Sequence, residues 1–231
     1  MFFDPLYLVM IAPAMLLALW AQFKVKRVYK KYSEVLTARG ATGAEVAAHI
    51  LRANGLTNVP IEVADGFLSD HYDPRHRVLR LSSGVYNGRS IAAAGIAAHE
   101  VGHALQHAKE YGPLVLRTKL APVAMLGSNL AMILLMIGMF MHAMGLVYLG
   151  IIGFTVAVVF TLVTLPVEFD ASRRAKELLP QLGLITGGEQ AGVAAVLNAA
   201  ALTYVAAAIS AVLQLVYFLL RAGLLGGSRD D

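Results

Sequence analysis

The stretch AAHEVGHALQH, residues 97–107, places His99, Glu100 and His103 in a register that suits metal chemistry. On a helix, His99 and His103 stand four apart, so both imidazoles leave one face and can share one ion. Glu100 is angled toward a water on such an ion rather than toward the ion. The chain has no Cys, so a thiolate site is excluded and any metal must rest on imidazole and carboxylate. Zinc accepts nitrogen and oxygen donors in a tetrahedron and lowers the pKa of bound water to about 7 in favourable sites. Glu100 would take that water's proton during attack on a peptide carbonyl and pass it to the leaving amine. A single His here would read as a polar residue on the solvent-facing side of a cytoplasmic helix. The full His-Glu-x-x-His register, with the small residues Ala97, Ala98 and Gly102 around it, reads as a metal site.

Two His leave a protein position to fill. The segment LPVEFDASRRA, residues 165–175, offers Glu168 at the end of an apolar run. A carboxylate there is costly without a partner. A zinc ion would be such a partner; an ion pair with Arg173 or Arg174 is the alternative. His107, one turn beyond His103, is a weaker candidate, because a fourth protein donor would close the position that catalysis needs open.

The elements that must position these residues are mostly membrane helices. The chain is 231 residues long, 58% hydrophobic and 15% charged, too apolar for an ordinary soluble domain. Four runs reach the roughly 20 residues that a bilayer span takes: 5–23, one within 121–142, one within 146–167 and one within 191–225. The first has its cations after it (KVKRVYKKY) rather than before, which reads as a retained anchor and not a cleaved leader. Lys24, Lys26, Arg27, Lys30 and Lys31 follow span one; Lys109, Arg117 and Lys119 precede span two; Arg173, Arg174 and Lys176 follow span three. Only Arg221 and Arg229 lie on the other side, so 24–120 is expected in the cytoplasm and both termini outside. The formal charge of +4, with no basic run interleaved with aromatics, points away from nucleic acid. Spans two and three carry no ionisable residue except His142, which argues against a transporter or channel.

The resulting organisation is an anchor helix (1–23), a cytoplasmic α+β unit bearing the motif helix (24–120), a transmembrane hairpin (121–167), and a segment with Glu168 and the fourth span (168–231). Within 33–110, TGAEVAAHILRANGL predicts a helix with Thr42 as cap, Glu45 three residues on and Gly55 as stop. Strands are expected near 60–64 and 77–82, then a helix capped by Ser90. DHYDP, residues 70–74, reads as a structural turn.

The motifs DHYDP, AAHEVGHALQH and LPVEFDASRRA, in this order and spacing, resemble the YugP-type family of membrane zinc metallopeptidases over nearly the whole chain. A more distant resemblance is to the HtpX-like membrane proteases. It implies a mostly α integral membrane protein with four transmembrane helices and a small gluzincin-like unit. It also implies zinc held by His99, His103 and Glu168, Glu100 as general base, and polypeptide substrates cut at the membrane's inner face. Where the distant relatives carry an Asp that orients a ligand His, this chain has Ser172; Asp170, two residues on from Glu168, is expected to point elsewhere. The strand HRVLRLS is where related enzymes align substrate by strand addition, and Val78, Leu79 and Leu81 fit a half-buried edge. His71, Tyr72, Asn198 and Tyr204 are candidates for stabilising the oxyanion. A membrane scaffold with a structural zinc is the competing function; it would have no need of Glu100.

Overall fold

The computed structural model describes residues 4–225, so Arg229 lies outside the described residues. In chain order the helices are α1 (Pro5–Ser33), α2 (Gly43–Ala53), α3 (Ser83–Tyr86), α4 (Ile91–Ala108), α5 (Gly112–Phe140), α6 (Met144–Gln181) and α7 (Gln190–Arg221). Between α2 and α3 run three short strands, β1 (Ile61–Ala64), β2 (His71–Asp73) and β3 (Val78–Ser82). Four helical runs are long and apolar enough to cross a bilayer: α1, α5, α6 and the run Gly187–Arg221 that contains α7. Each expected stretch overlaps one of them, with 121–142 and 191–225 running past the helix ends at Phe140 and Arg221. α1 outlasts its apolar run, because KVKRVYKKY after span one contains no breaker and Lys and Arg are good helix formers.

The chain divides into two compact units. One comprises the residues up to Trp20, Val115–Leu165, and those from Thr203 on. Here α5 and α6 pack through small residues. A Cβ on Gly150 would lie 2.6 Å from Leu135, and one on Gly138 2.8 Å from the Val147 backbone. With no hydrophobic drive between helices in lipid, such close approach supplies the packing. Tyr217 donates its hydroxyl to Asp4 (2.9 Å), joining the start of α1 to the end of α7.

The second unit comprises Ala21–Leu114 and Pro166–Leu202. Its core joins α2, β3 and α4 to the far part of α6 and the first turns of α7, through Val46, Ile50, Leu79, Leu81, Val101, Leu179 and Val193 among others. Thr42 caps α2 in a full capping box with Glu45, and the Ser90 hydroxyl accepts from the Ala93 N–H to cap α4. Both helix starts are where the sequence puts them, and the strands at 61–64 and 78–82 match to within a residue.

Two expectations fail. The sheet order is β1-β3-β2, so β3 is central and not an edge. It pairs in parallel with β1 (Ile61 opposite Leu79) and antiparallel with β2 (Tyr72 opposite Leu79). Four of its five residues are buried, the near-continuous burial of a strand covered on both flanks and both faces. DHYDP is also not simply a turn, because His71–Asp73 forms β2 and the turn follows it. Asp73 ends the strand by accepting from the N–H groups of Arg75 (2.9 Å) and His76 (3.3 Å). The His76 ring and the Arg80 guanidinium also reach it, and together these bonds hold its carboxyl well below the usual range. Asp70 accepts from both the backbone N–H and the hydroxyl of Ser82, tying the loop before β2 to the end of β3.

Candidate metal centre

His99 and His103 lie on one face of α4, and α6 brings Glu168 against them from across 65 or more residues of sequence. The Glu168 carboxylate oxygen Oε2 is 3.3 Å from His99 Nε2 and 3.7 Å from His103 Nε2. The three donor atoms all lie within 4.8 Å of one another, and among the described residues this is the group of His and carboxylates able to hold a metal. Arg173 and Arg174, the alternative partners of Glu168, turn instead to Asp170.

Gly102 makes the approach possible. A Cβ there would sit 2.8 Å from the Ala171 carbonyl oxygen and 3.0 Å from its Cα, contacts that backbone cannot relieve cheaply. Gly102→Val is therefore expected to push α4 off α6, costing about 1–3 kcal/mol by overpacking with no gain in helix propensity comparable to Ala. Thermal unfolding and zinc content of the purified variant should both fall; native values for both would show that the helices tolerate separation.

The outer nitrogen of each imidazole is engaged. His99 Nδ1 is 3.1 Å from the Ser172 hydroxyl, and His103 Nδ1 is 3.0 Å from Gln106 Oε1. With both outer nitrogens so occupied, the inner Nε2 atoms face a carboxylate oxygen. When each imidazole donates outward through Nδ1, its Nε2 lone pair faces the Glu168 carboxylate, three donors that a cation among them would satisfy, so the donor set fits a metal ion. The electrostatics agree. Burial alone would push the His103 pKa down, yet the hydrogen bond to Glu168 and the charges of Glu100 and Glu168 outweigh it, and the pKa lies above its ordinary value. The site favours positive charge.

Glu100 is buried next to this group but is not one of the three. Its Oε2 accepts the backbone N–H of Tyr72 on β2 at 3.1 Å. Leu79, opposite Tyr72, sends its own N–H to Pro60 beside β1, so Tyr72 and Leu79 form a pair that exchanges no hydrogen bonds. The N–H and C=O of Tyr72 consequently face the free edge of β2. The Tyr72 hydroxyl lies 2.9 Å from His107 Nδ1, which turns His107 to a role outside the three-residue group. Of the other polar candidates, His71 bonds Ser69 O (2.8 Å), Asn198 accepts from Lys176 (3.4 Å), and Tyr204 belongs to the membrane-helix unit.

Sequence reasoning missed Gln106. It is wholly buried, and its amide donates to Val167 O (2.8 Å) and to Asp170 Oδ2 (2.9 Å). Asp170, expected to point elsewhere, thus reaches toward the site through Gln106, although it makes no bond to His99. The available signal was position: Gln106 follows His103 by three, on the same helical face, in a helix otherwise rich in Ala.

A curated relative in Bacillus subtilis (strain 168), named "Putative membrane protease YugP", is 52% identical over 215 residues, covering 93% of this chain and 96% of the relative. No solved structure matches the chain significantly. The family model described as "Putative neutral zinc metallopeptidase" matches residues 7–223, and the chain belongs to that family.

Proposed function

We propose that this protein is a membrane-embedded zinc endopeptidase of gluzincin type, cutting cytoplasmic or membrane-proximal polypeptides. The observation that carries the proposal is the convergence of His99, His103 and Glu168, with a buried Glu100 beside them and no fourth His or carboxylate in the group among the described residues. Three protein donors suit a catalytic site, whereas structural zinc sites are closed by four.

His99 Nε2, His103 Nε2 and a Glu168 oxygen would hold the ion. Zinc bound there would supply Lewis acidity, acidifying water and polarising a peptide carbonyl. Glu100 takes the proton of the attacking water on its carboxylate and delivers it to the amide nitrogen as the C–N bond breaks. Ser172 and Gln106 keep the two imidazoles from rotating. An extended substrate would add to the free edge of β2, where Tyr72 presents an N–H and a C=O pointing outward. A substrate carbonyl arriving there competes with Glu100 for the Tyr72 N–H, so docking brings the peptide to the base.

The cation bias around the spans supports a cytoplasmic site with both termini outside. Reporter fusions after residue 60 and after residue 225 should then score on opposite sides of the membrane. Equal scores would mean that an even number of the three later helices cross, and would end the four-span model. The activity itself is tested with the full chain purified in detergent and incubated with an unfolded polypeptide such as casein. Cleavage should stop on chelation and return with added zinc; cleavage indifferent to chelator would refute the metal role.

A further inference from the structure

Gln106 has the properties of a part placed for a purpose. It is the most deeply buried polar side chain of the second unit, and it touches both helices that build the metal centre. We infer that Gln106 is a positioning residue that sets two of the three metal donors at once, with Asp170, Arg173 and Arg174 fixing its orientation. This rests on the zinc reading above and assigns a role that the sequence motif does not.

The orientation of the amide follows from what surrounds it. Its NH2 group meets the Val167 carbonyl and the Asp170 carboxylate, both of which only accept. The amide oxygen must therefore face His103, and His103 Nδ1 must carry the proton to donate to it. That tautomer leaves the Nε2 lone pair on the side of Glu168. Asp170 is in turn clamped by Arg174 (2.6 Å) and by Arg173, so the amide cannot flip without losing a charge-assisted bond. The second hydrogen bond donated by the amide, to Val167 O, holds the backbone of the residue immediately before Glu168. One side chain thereby fixes the ring of His103 on α4 and the height of Glu168 on α6.

The test measures zinc affinity of the full chain in detergent at neutral pH, by competition with a chromophoric chelator. Outer partners of metal ligands typically command 10–100-fold in affinity, and Gln106→Leu, which keeps the bulk and removes both functions, should lose about that much. Gln106→Glu retains an acceptor for His103 but sets a second carboxylate against Asp170, so it should also bind zinc more weakly. Adding Asp170→Asn reverses the order of amide and acid across the pair, and the double variant should regain affinity over Gln106→Glu alone. A purely structural role predicts lower thermal stability without this rescue. Native affinity in Gln106→Leu, or a double variant no tighter than Gln106→Glu, would overturn the inference while leaving the metal centre standing. A native chain that binds no zinc would overturn the metal reading itself and this inference with it.

Discussion

Glu100→Gln is expected to lower peptide hydrolysis by about 10²–10⁴-fold, the usual worth of general acid–base catalysis, while zinc stays bound. The two side chains are nearly isosteric, and the Gln oxygen can still accept the Tyr72 N–H that Glu100 accepts at 3.1 Å. The fold around β2 and α4 should therefore persist. What is lost is a group that can take a proton from water and return it to the departing nitrogen. Glu100 is also outside the three-donor group, so metal content should match the native protein. Because docking on β2 is left intact, the variant should retain polypeptides that the native protein releases as fragments. Turnover measured beside elemental zinc analysis checks this. Native turnover in a zinc-loaded Glu100→Gln protein would favour the scaffold reading, in which the carboxylate has no chemical duty.

Replacing any of His99, His103 or Glu168 with Ala should have the opposite signature: metal lost, and activity lost because of it. Two remaining donors rarely hold zinc against water, so the loss should exceed the about 10–100-fold expected of an outer partner such as Gln106. The His replacements carry a second consequence. Glu168 is almost wholly buried, 2% exposed, with both imidazoles against it, and removing one leaves a buried carboxylate with fewer partners. Ligand linkage offers an independent readout. Zinc that binds only the folded state raises the native melting temperature, and the three variants should show no such rise. Full zinc occupancy in Glu168→Ala would move the third donor elsewhere, with His107 the next candidate on the same helix face.

Much of this molecule is legible in the sequence, and the divide between what is and is not has a physical basis. The spans are legible because lipid demands about 20 apolar residues in a row, a local property. The starts of α2 and α4 are legible because capping is a local exchange between Thr42 and Glu45, or between Ser90 and Ala93. The His pair and Glu168 stand out because the residue types are rare in apolar surroundings. β2 is not legible: three residues with a turn signal on each side have no pattern of their own, and their pairing with β3 decides their state. The central place of β3 is hidden for the same reason, since an alternating pattern does not say how many neighbours a strand has. Gln106 depends on α4 and α6 meeting at Gly102 and Ala171, a contact between segments 69 residues apart. Nothing local to Gln106 announces that a carbonyl and a carboxylate will be waiting for its amide.

Glu100, beside a zinc held by His99, His103 and Glu168, is proposed to cut polypeptides at the membrane. Peptide termini from membranes carrying the native protein or Glu100→Gln at equal abundance test it most directly. Termini in cytoplasmic or membrane-proximal segments should appear with the native protein and be missing with the variant. Identical sets of termini, together with full rescue of a null strain by Glu100→Gln, would contradict it.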